Sequence, residues 1–347
     1  MSRIAAYTSF TFTYLSRALV LAHSLRAAHP DWMICACIVD TPPPGIDCAP
    51  ALAAFDQVVY ANELGIPNFE SWIFKHDLVE ACTAVKGHAL SFLLAEGYEL
   101  VFYFDPDIAV FHSLDAIMER LDTASIVLTP HQVMPSADYL TFRDNELTSM
   151  KCGIYNLGFI AVRNSPVGVR FASWWAQLLY EACYDDPANG IFTDQKYIDL
   201  VPALFDEVDI FRAAGCNVAS WNLTNRTLNI SRDGTITVNG DPLKFYHFTK
   251  INGAGDVMTA KYIGENSAVW EVWNWYKREI AKFDTPGVPK GYWAFGRFAN
   301  NVPISKPIRI LFRTRAGLIA HFANPFAMHD DCFYRWLSVE HPDLIAA

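Results

Sequence analysis

Leu100-Val-Phe-Tyr-Phe104 runs directly into Asp105-Pro-Asp107, and Ile108-Ala-Val-Phe111 resumes the apolar run. Bounded by Gly97 and Asp105, the first stretch reads as a central strand buried on both faces. Two carboxylates at its C-terminal end lie where open α/β sheets hold their ligands. Spaced i, i+2 on extended backbone, they can share one hard cation directly or through water. A bare Asp-x-Asp arises by chance about once in a chain of this size, so the weight lies in the strand, acid pair, strand context.

Outward from this stretch, strands and helices alternate. Arg3-Ile-Ala-Ala-Tyr-Thr8 predicts a first strand, and Tyr14 to Ala28 a helix whose Leu15, Ala18, Leu19 and Ala22 share one face. Met33–Val39 and Gln57–Tyr60 predict further strands, and Leu78 to Ala95 one helix before the acid-pair strand. Ser125–Thr129 and Leu157–Val162 follow as strands, and Ser165-Pro166 opens a helix with a cap and a proline at its first position. Asp233-Gly234 marks a hairpin, and Lys244–His247 a late strand. The pattern implies an α/β fold with a mainly parallel central sheet flanked by helices. After about residue 265 the chain turns aromatic and basic, so residues 1–265 read as the main domain and 266–347 as a C-terminal helical, aromatic extension.

Bulk properties narrow the function. The 347 residues are 52% hydrophobic, and 37 acidic against 27 basic residues give a net charge of −10. That excludes a broad basic face for duplex nucleic acid, while a local charge or metal can still hold a small anion. The first turn lacks G-x-G-x-x-G, so a standard dinucleotide site is not expected. The eight cysteines show no zinc spacing and read as reduced core residues of a cytoplasmic protein. No signal-peptide pattern and no apolar run near the roughly 18 residues of a spanning helix are read from the sequence. Sequons at Asn222, Asn225 and Asn229 read as chance matches.

Six pieces then fall in a known order: the first strand with its turn and Tyr14; Thr83-Ala-Val-Lys86; Tyr103-Phe-Asp-Pro-Asp107; Tyr155-Asn-Leu-Gly158; Thr193-Asp-Gln195; and Phe245-Tyr-His-Phe248. In these the chain resembles the nucleotide-sugar-dependent glycosyltransferases of the GT-A (Rossmann-like) fold, closest to the retaining family of glycogenin and bacterial lipopolysaccharide galactosyltransferases. The resemblance covers roughly residues 3–250. It implies a metal set of Asp105, Asp107 and His247 and a cofactor of Mn²⁺ or Mg²⁺, with Mn²⁺ better suited to oxygen ligands plus an imidazole. It places Thr8, Ser9, Tyr14, Lys86, Asp105, Asn156, Gly158 and Lys250 on the nucleotide and donor sugar. Asp194 and Gln195 stand as the catalytic pair facing that sugar. The implied partners are a nucleotide diphosphate sugar, UDP-sugar favoured, and a glycan or lipid-linked glycan acceptor in cell-surface assembly, with retention of configuration. Because Gln195 is a poor nucleophile, a same-face route with the leaving phosphate as base is expected over a covalent intermediate.

Read from the residues alone, several roles stay open. His247 is a core histidine or a ligand, Asp194 a helix cap or a sugar contact, and Lys86 a helix lysine with apolar neighbours. Two departures from the family stand out: Lys196 follows Asp194-Gln195 where a second acid is usual, and Lys250 comes early and Gly253 late after His247. A sugar-1-phosphate nucleotidylyltransferase would need a glycine-rich loop where Ser9-Phe-Thr-Phe-Thr13 stands. A sugar- or lipid-binding partner without catalysis is the other alternative. The tail reads either as a helical cap on the sheet or, through Lys306-Pro-Ile-Arg-Ile-Leu-Phe-Arg-Thr-Arg315, as a peripheral contact with anionic lipid at the inner face of the membrane.

Overall fold

The computed structural model describes residues 3–264, 266–285 and 287–346; Met1, Ser2 and the expected boundary at residue 265 lie outside the described residues. The strands that matter are β1 (Ile4–Phe10), β2 (Met33–Ile38), β3 (Gln57–Tyr60), β4 (Leu100–Phe104), β5 (Ile108–Val110), β6 (Ile126–Pro130) and β7 (Tyr155–Arg163). A seven-stranded sheet runs in the order Val208–Ile210, β6, β7, β4, β1, β2, β3. β4 is its middle strand, as its sequence predicts. β7 pairs antiparallel with both β4 and β6, and every other pairing in the sheet is parallel.

The unbroken apolar run of β4 follows from having a core on each side. Val101 and Tyr103 face one cluster, packed under the helices Lys86–Ala95 and Pro166–Ala182. Phe102 and Phe104 face the other, under the helix Leu15–Ala28. Burying side chains on alternate faces removes the polar positions that a one-sided strand would carry.

Helix 78–95 is where the sequence reading needs correction. It is two segments, Leu78–Ala84 and Lys86–Ala95, joined at Val85. The whole stretch is also long and apolar enough, at mean hydropathy 1.3 over 18 residues, to pass as a membrane span, contrary to the expectation that no such run exists. More than half of it is buried in the protein, and it serves as a core helix. Gly87 sets how close it comes to its neighbour: a Cβ there would meet Ala176 N at 2.6 Å.

The tail forms two bodies of packing. The helix Ala268–Lys282 lays Val272, Trp273 and Tyr276 against Tyr246 and Phe248, in the same cluster as the late strand Phe245–His247. The helices Lys306–Arg313, Ala316–His321 and Phe333–Glu340 close a separate cluster around Phe74. Of the two readings of the basic stretch, a packed cap or a lipid contact, Arg309 and Arg313 follow the first and turn inward. Arg309 is 2% exposed and donates to Phe74 O and Phe295 O, and Arg313 pairs with the fully buried Glu80 at 3.0 Å. Lys306 also reaches Glu80 and Asp77. Cations committed to buried carboxylates and carbonyls are not available to lipid phosphates, so the peripheral membrane contact expected of this stretch is not what the packing shows. The eight cysteines are free, and Asn222 is fully buried, which closes that sequon.

Candidate active site

Four chain segments meet at one edge of the sheet. β4 and β6 run in the same direction, so Asp105 and His131, each just past a strand end, lie on the C-terminal edge. β7 runs the other way, so its first residues, Tyr155 to Gly158, reach the same edge. β5 pairs antiparallel with Phe245–His247, which sets His247 opposite Ile108 and beside the acid pair. Together with Asp194-Gln195 they line a cavity of about 570 Å³.

Asp105, Asp107 and His247 offer ligand atoms that all lie within 4.8 Å of one another. His247 Nε2 is 3.1 Å from Asp107 Oδ1 and 3.7 Å from Asp105 Oδ2. Adjacent ligands of an octahedral ion bound at about 2.1 Å stand roughly 3 Å apart, so these spacings suit a small divalent cation. The two oxygens of Asp105 divide their work. Oδ1 accepts from Tyr103 Oη at 2.7 Å and Lys86 Nζ at 3.0 Å, and Oδ2 is left toward His247. Backbone bonds fix the frame: Asp105 N donates to Gly158 O, and Phe248 N to Asp107 O, each at 2.8 Å. Gly158 is required here, because a Cβ would meet His247 Cε1 at 2.5 Å and Asn156 Oδ1 at 2.8 Å.

Burial alone would push the His247 imidazole down, but Asp107 and then Asp105 beside it hold it above its ordinary value. Burial likewise works against the Asp107 carboxylate, and His247 outweighs it and brings the carboxyl below its ordinary value. A proton and a cation therefore compete for one ring lone pair. Oxygen donors, one imidazole, buried walls and a shared lone pair fit a divalent cation such as Mn²⁺ or Mg²⁺.

Lys86 is 1% exposed. Its Nζ meets Asp105 Oδ1 at 3.0 Å, Asp194 Oδ2 at 2.9 Å and Leu157 O at 2.9 Å, and lies over the Tyr103 ring. Desolvation works against its charge, yet the two carboxylates raise it to about 12. Asp194 is pushed up by burial in spite of Lys86. Lys86, expected as a donor contact, lines the cavity and joins β4 to the Asp194 loop through its ammonium. That loop is strained. Thr193 has φ 44°, a left-handed conformation uncommon for a β-branched residue. The strain turns Asp194 inward, where Trp175 Nε1 donates to its backbone oxygen at 3.2 Å.

Gln195 is held at both ends. Its Nε2 donates to Cys152 O at 3.0 Å, and Oε1 accepts from Leu157 N at 3.1 Å. Asn156 is similarly engaged, with Oδ1 accepting from Gly158 N and facing His247 Nδ1. Lys250 lines the cavity with a left-handed backbone at φ 51°. The cavity does not gather all the expected residues. Thr8 and Ser9 are buried at the end of β1, where Ser9 Oγ donates to Cys82 O at 2.7 Å, and Tyr14 is 38% exposed under Arg17. None of these three lines the cavity. Lys196, where a second acid was expected, bonds Met150 O and Asp199 and so pins the segment before β7.

Three contributors escaped the sequence reading. His131 follows β6, and the strand-end rule that singled out Asp105 would have flagged it. Trp221 stands with its ring 5.4 Å from His131 and 5.3 Å from His247. Asn145 lies in a π-helical turn, Phe142–Glu146, on the cavity wall with its amide buried and without a partner among the described residues.

No family model matches the chain. It is 31% identical over 179 residues to the uncharacterized protein YfnF of Bacillus subtilis, spanning 50% of this chain and 57% of YfnF. To the uncharacterized protein YfnD of the same organism it is 27% identical, over 49% of this chain and 53% of YfnD. The chain thus spans a little over half the length of these curated relatives. Among solved structures, the galactosyltransferase LgtC with donor and acceptor sugar analogs matches at TM-score 0.45 and 14% identity, over 83% of this chain and 98% of LgtC. The bifunctional glycosyltransferase WbbM matches at TM-score 0.45 and 13% identity, over 79% of this chain and 51% of WbbM. A glycosyltransferase involved in the glycosylation of the major capsid of PBCV-1 matches at TM-score 0.40 and 10% identity, over 75% of this chain and 98% of that one. The chain is similar to these proteins. The likenesses are distant, and the chemistry of the site rests on its own geometry.

Proposed function

We propose that this chain is a divalent-cation-dependent glycosyltransferase that moves a sugar from a nucleotide diphosphate sugar to an acceptor hydroxyl. The observation that carries the reading is the Asp105, Asp107 and His247 cluster on the wall of a cavity at the C-terminal edge of the sheet. Bound there, the cation supplies Lewis-acid stabilisation of the charge left on the diphosphate.

The chain's own groups support the rest. Lys86 bridges Asp105 and Asp194 and fixes both in place, so neither drifts as a charged donor arrives. Lys250, on the cavity wall, provides a positive charge for the phosphates. Gln195 is an amide bound at both ends, and Asp194 is held by Lys86, so neither is presented as a free nucleophile. That favours the same-face route, in which the acceptor hydroxyl attacks as the diphosphate leaves and its proton passes to the departing phosphate oxygen, with retention. We extend the proposal to a UDP-sugar donor, a glycan or lipid-linked glycan acceptor in cell-surface assembly on the cytoplasmic side, and a catalytic unit of residues 1–265 supported by 266–347. The motif resemblance supports these extensions.

The test is a panel of UDP-, GDP-, CMP- and dTDP-sugars with Mn²⁺, reading binding and release of free nucleotide. Cation-dependent binding and slow hydrolysis of one donor, both lost in Asp107→Asn, are expected. No binding of any donor would overturn the reading in favour of a partner protein without catalysis.

A further inference from the structure

Three polar side chains and one backbone carbonyl form one chain leading away from His247, and its hydrogen-bond directions follow from the groups at its two ends. Gly158 N can only donate, and it meets Asn156 Oδ1 at 3.3 Å, so that atom is the oxygen of the amide. His247 Nδ1 lies 3.2 Å from the same oxygen and must carry a proton to bond it. At the other end of the amide, Asn156 Nδ2 lies 3.2 Å from His131 Nε2 and 3.4 Å from Gln195 Oε1. His131 Nδ1 faces the carbonyl of Ile154 at 3.2 Å, so Nδ1 holds the His131 proton and Nε2 is the acceptor. The order is therefore Ile154 carbonyl, His131, Asn156, His247, each donating toward the Ile154 end. Its last consequence is at His247: with the proton on Nδ1, the neutral ring leaves its Nε2 lone pair for a cation held beside Asp105 and Asp107.

We propose that His131 is a positioning residue which, through the Asn156 amide, fixes the His247 tautomer that binds the cation. The inference rests on the cation-site reading above. Three further observations support it. Burial pushes the His131 imidazole down to about 4, so its Nε2 stays an acceptor across the neutral range. The segment is braced, with His131 N donating to Ile154 O at 2.9 Å and Asn222 Nδ2 to His131 O at 3.2 Å. Trp221 stands edge-on to both imidazoles, which limits their rotation. Remove the acceptor at His131 and the amide keeps only two long bonds, from Gly158 N at 3.3 Å and to Gln195 Oε1 at 3.4 Å. A turned amide would offer N–H to His247 Nδ1, drive the proton to Nε2 and block the ligand position. Metal-bound histidines are commonly oriented through their second ring nitrogen in this manner.

The experiment compares the parent with His131→Leu, His131→Gln and Asp107→Asn. Mn²⁺ affinity is read from the free-ion electron paramagnetic resonance signal. The His247 tautomer is read from ¹⁵N-histidine spectra of metal-free protein at alkaline pH, where the ring is neutral. His131→Leu is expected to weaken Mn²⁺ binding by about tenfold or more and to move the His247 proton toward Nε2. His131→Gln, whose carbonyl can still accept from Asn156, is expected to retain most of the affinity and the parent tautomer. Parent affinity and parent tautomer in His131→Leu would overturn the proposal, as would equal losses in both variants with no change of tautomer. Absence of Mn²⁺ binding in the parent, or binding unchanged in Asp107→Asn, would sink the cation reading itself. The tautomer comparison then decides the relay alone: a shift in His131→Leu supports it, and none overturns it.

Discussion

Lys86 Nζ lies 2.9 Å from Asp194 Oδ2, with 2% and 4% of the two side chains exposed. A buried ion pair adds little over a well-packed apolar pair, but removing one partner strands the other charge. Lys86→Met should therefore cost about 3–5 kcal/mol, because Asp194 would be left buried without a cation. Lys86→Met with Asp194→Leu should recover much of that loss, leaving the Leu157 carbonyl and Asp105, whose side chain is 26% exposed and can find water. Urea unfolding of the two variants checks this. Equal destabilisation in both would mean that Lys86 matters through Asp105 or Leu157 rather than Asp194.

The cation should stabilise the fold through Asp107. A ligand at about 100 times its dissociation constant adds roughly 2.7 kcal/mol to the folded state. Mn²⁺ in that excess should raise the melting temperature of the parent, and Asp107→Asn should abolish the rise while melting near the metal-free parent. A variant that still gains stability from Mn²⁺ would place the cation elsewhere.

pH should act in opposite directions with and without the cation. In metal-free protein, His247 is raised above its ordinary 6.5, so its share of stability is complete below that value and lost as pH climbs through the raised one. Asp107 is lowered from 3.8, so its share is present above that value and lost as pH falls through the lowered one. The pair therefore supports the metal-free fold best in the window between the two. Mn²⁺ needs the deprotonated ring, so the rise in melting temperature caused by Mn²⁺ should grow as pH climbs through the raised His247 value. A rise independent of pH would remove His247 from the ligand set.

How much of this was legible in the sequence follows from where each signal lives. β4 announced itself because both of its faces are buried, and the acid pair because it interrupts that run. Asp233-Gly234 gave its hairpin, with Leu228–Ile230 paired to Ile236–Val238, since the turn chemistry is local. The role of His131, as opposed to its place at a strand end, was hidden for the opposite reason. Its partners, Asn156 and Ile154, reach it only because β7 runs antiparallel to β6, and no local pattern encodes that pairing. The basic tail left two readings open, a packed cap or a lipid contact, because an amphipathic pattern does not say what covers the polar face. For Arg309 and Arg313 the cover is protein, supplied by Phe74, Phe295 and Glu80.

That cover makes a last prediction. Glu80 is fully buried and is reached by Arg313 and Lys306 from the tail, by Asp77 N within its own capping box, and by Asp185 N at 2.9 Å. Asp77 and Asp185 both line the cavity, so Glu80 couples the tail to the cavity wall. Arg313→Ala would leave this carboxylate short of its best-buried cation and should cost about 3–5 kcal/mol in urea unfolding. Arg315→Ala, at an exposed position two residues on, should cost less than about 0.5 kcal/mol. A lipid-docking role for the stretch would give the reverse ranking in a vesicle sedimentation assay, with the exposed Arg315 mattering most and stability unaffected. The packing instead predicts that Arg313→Ala is the damaging change, and that its damage is read in stability, since the guanidinium already has its anion inside the protein.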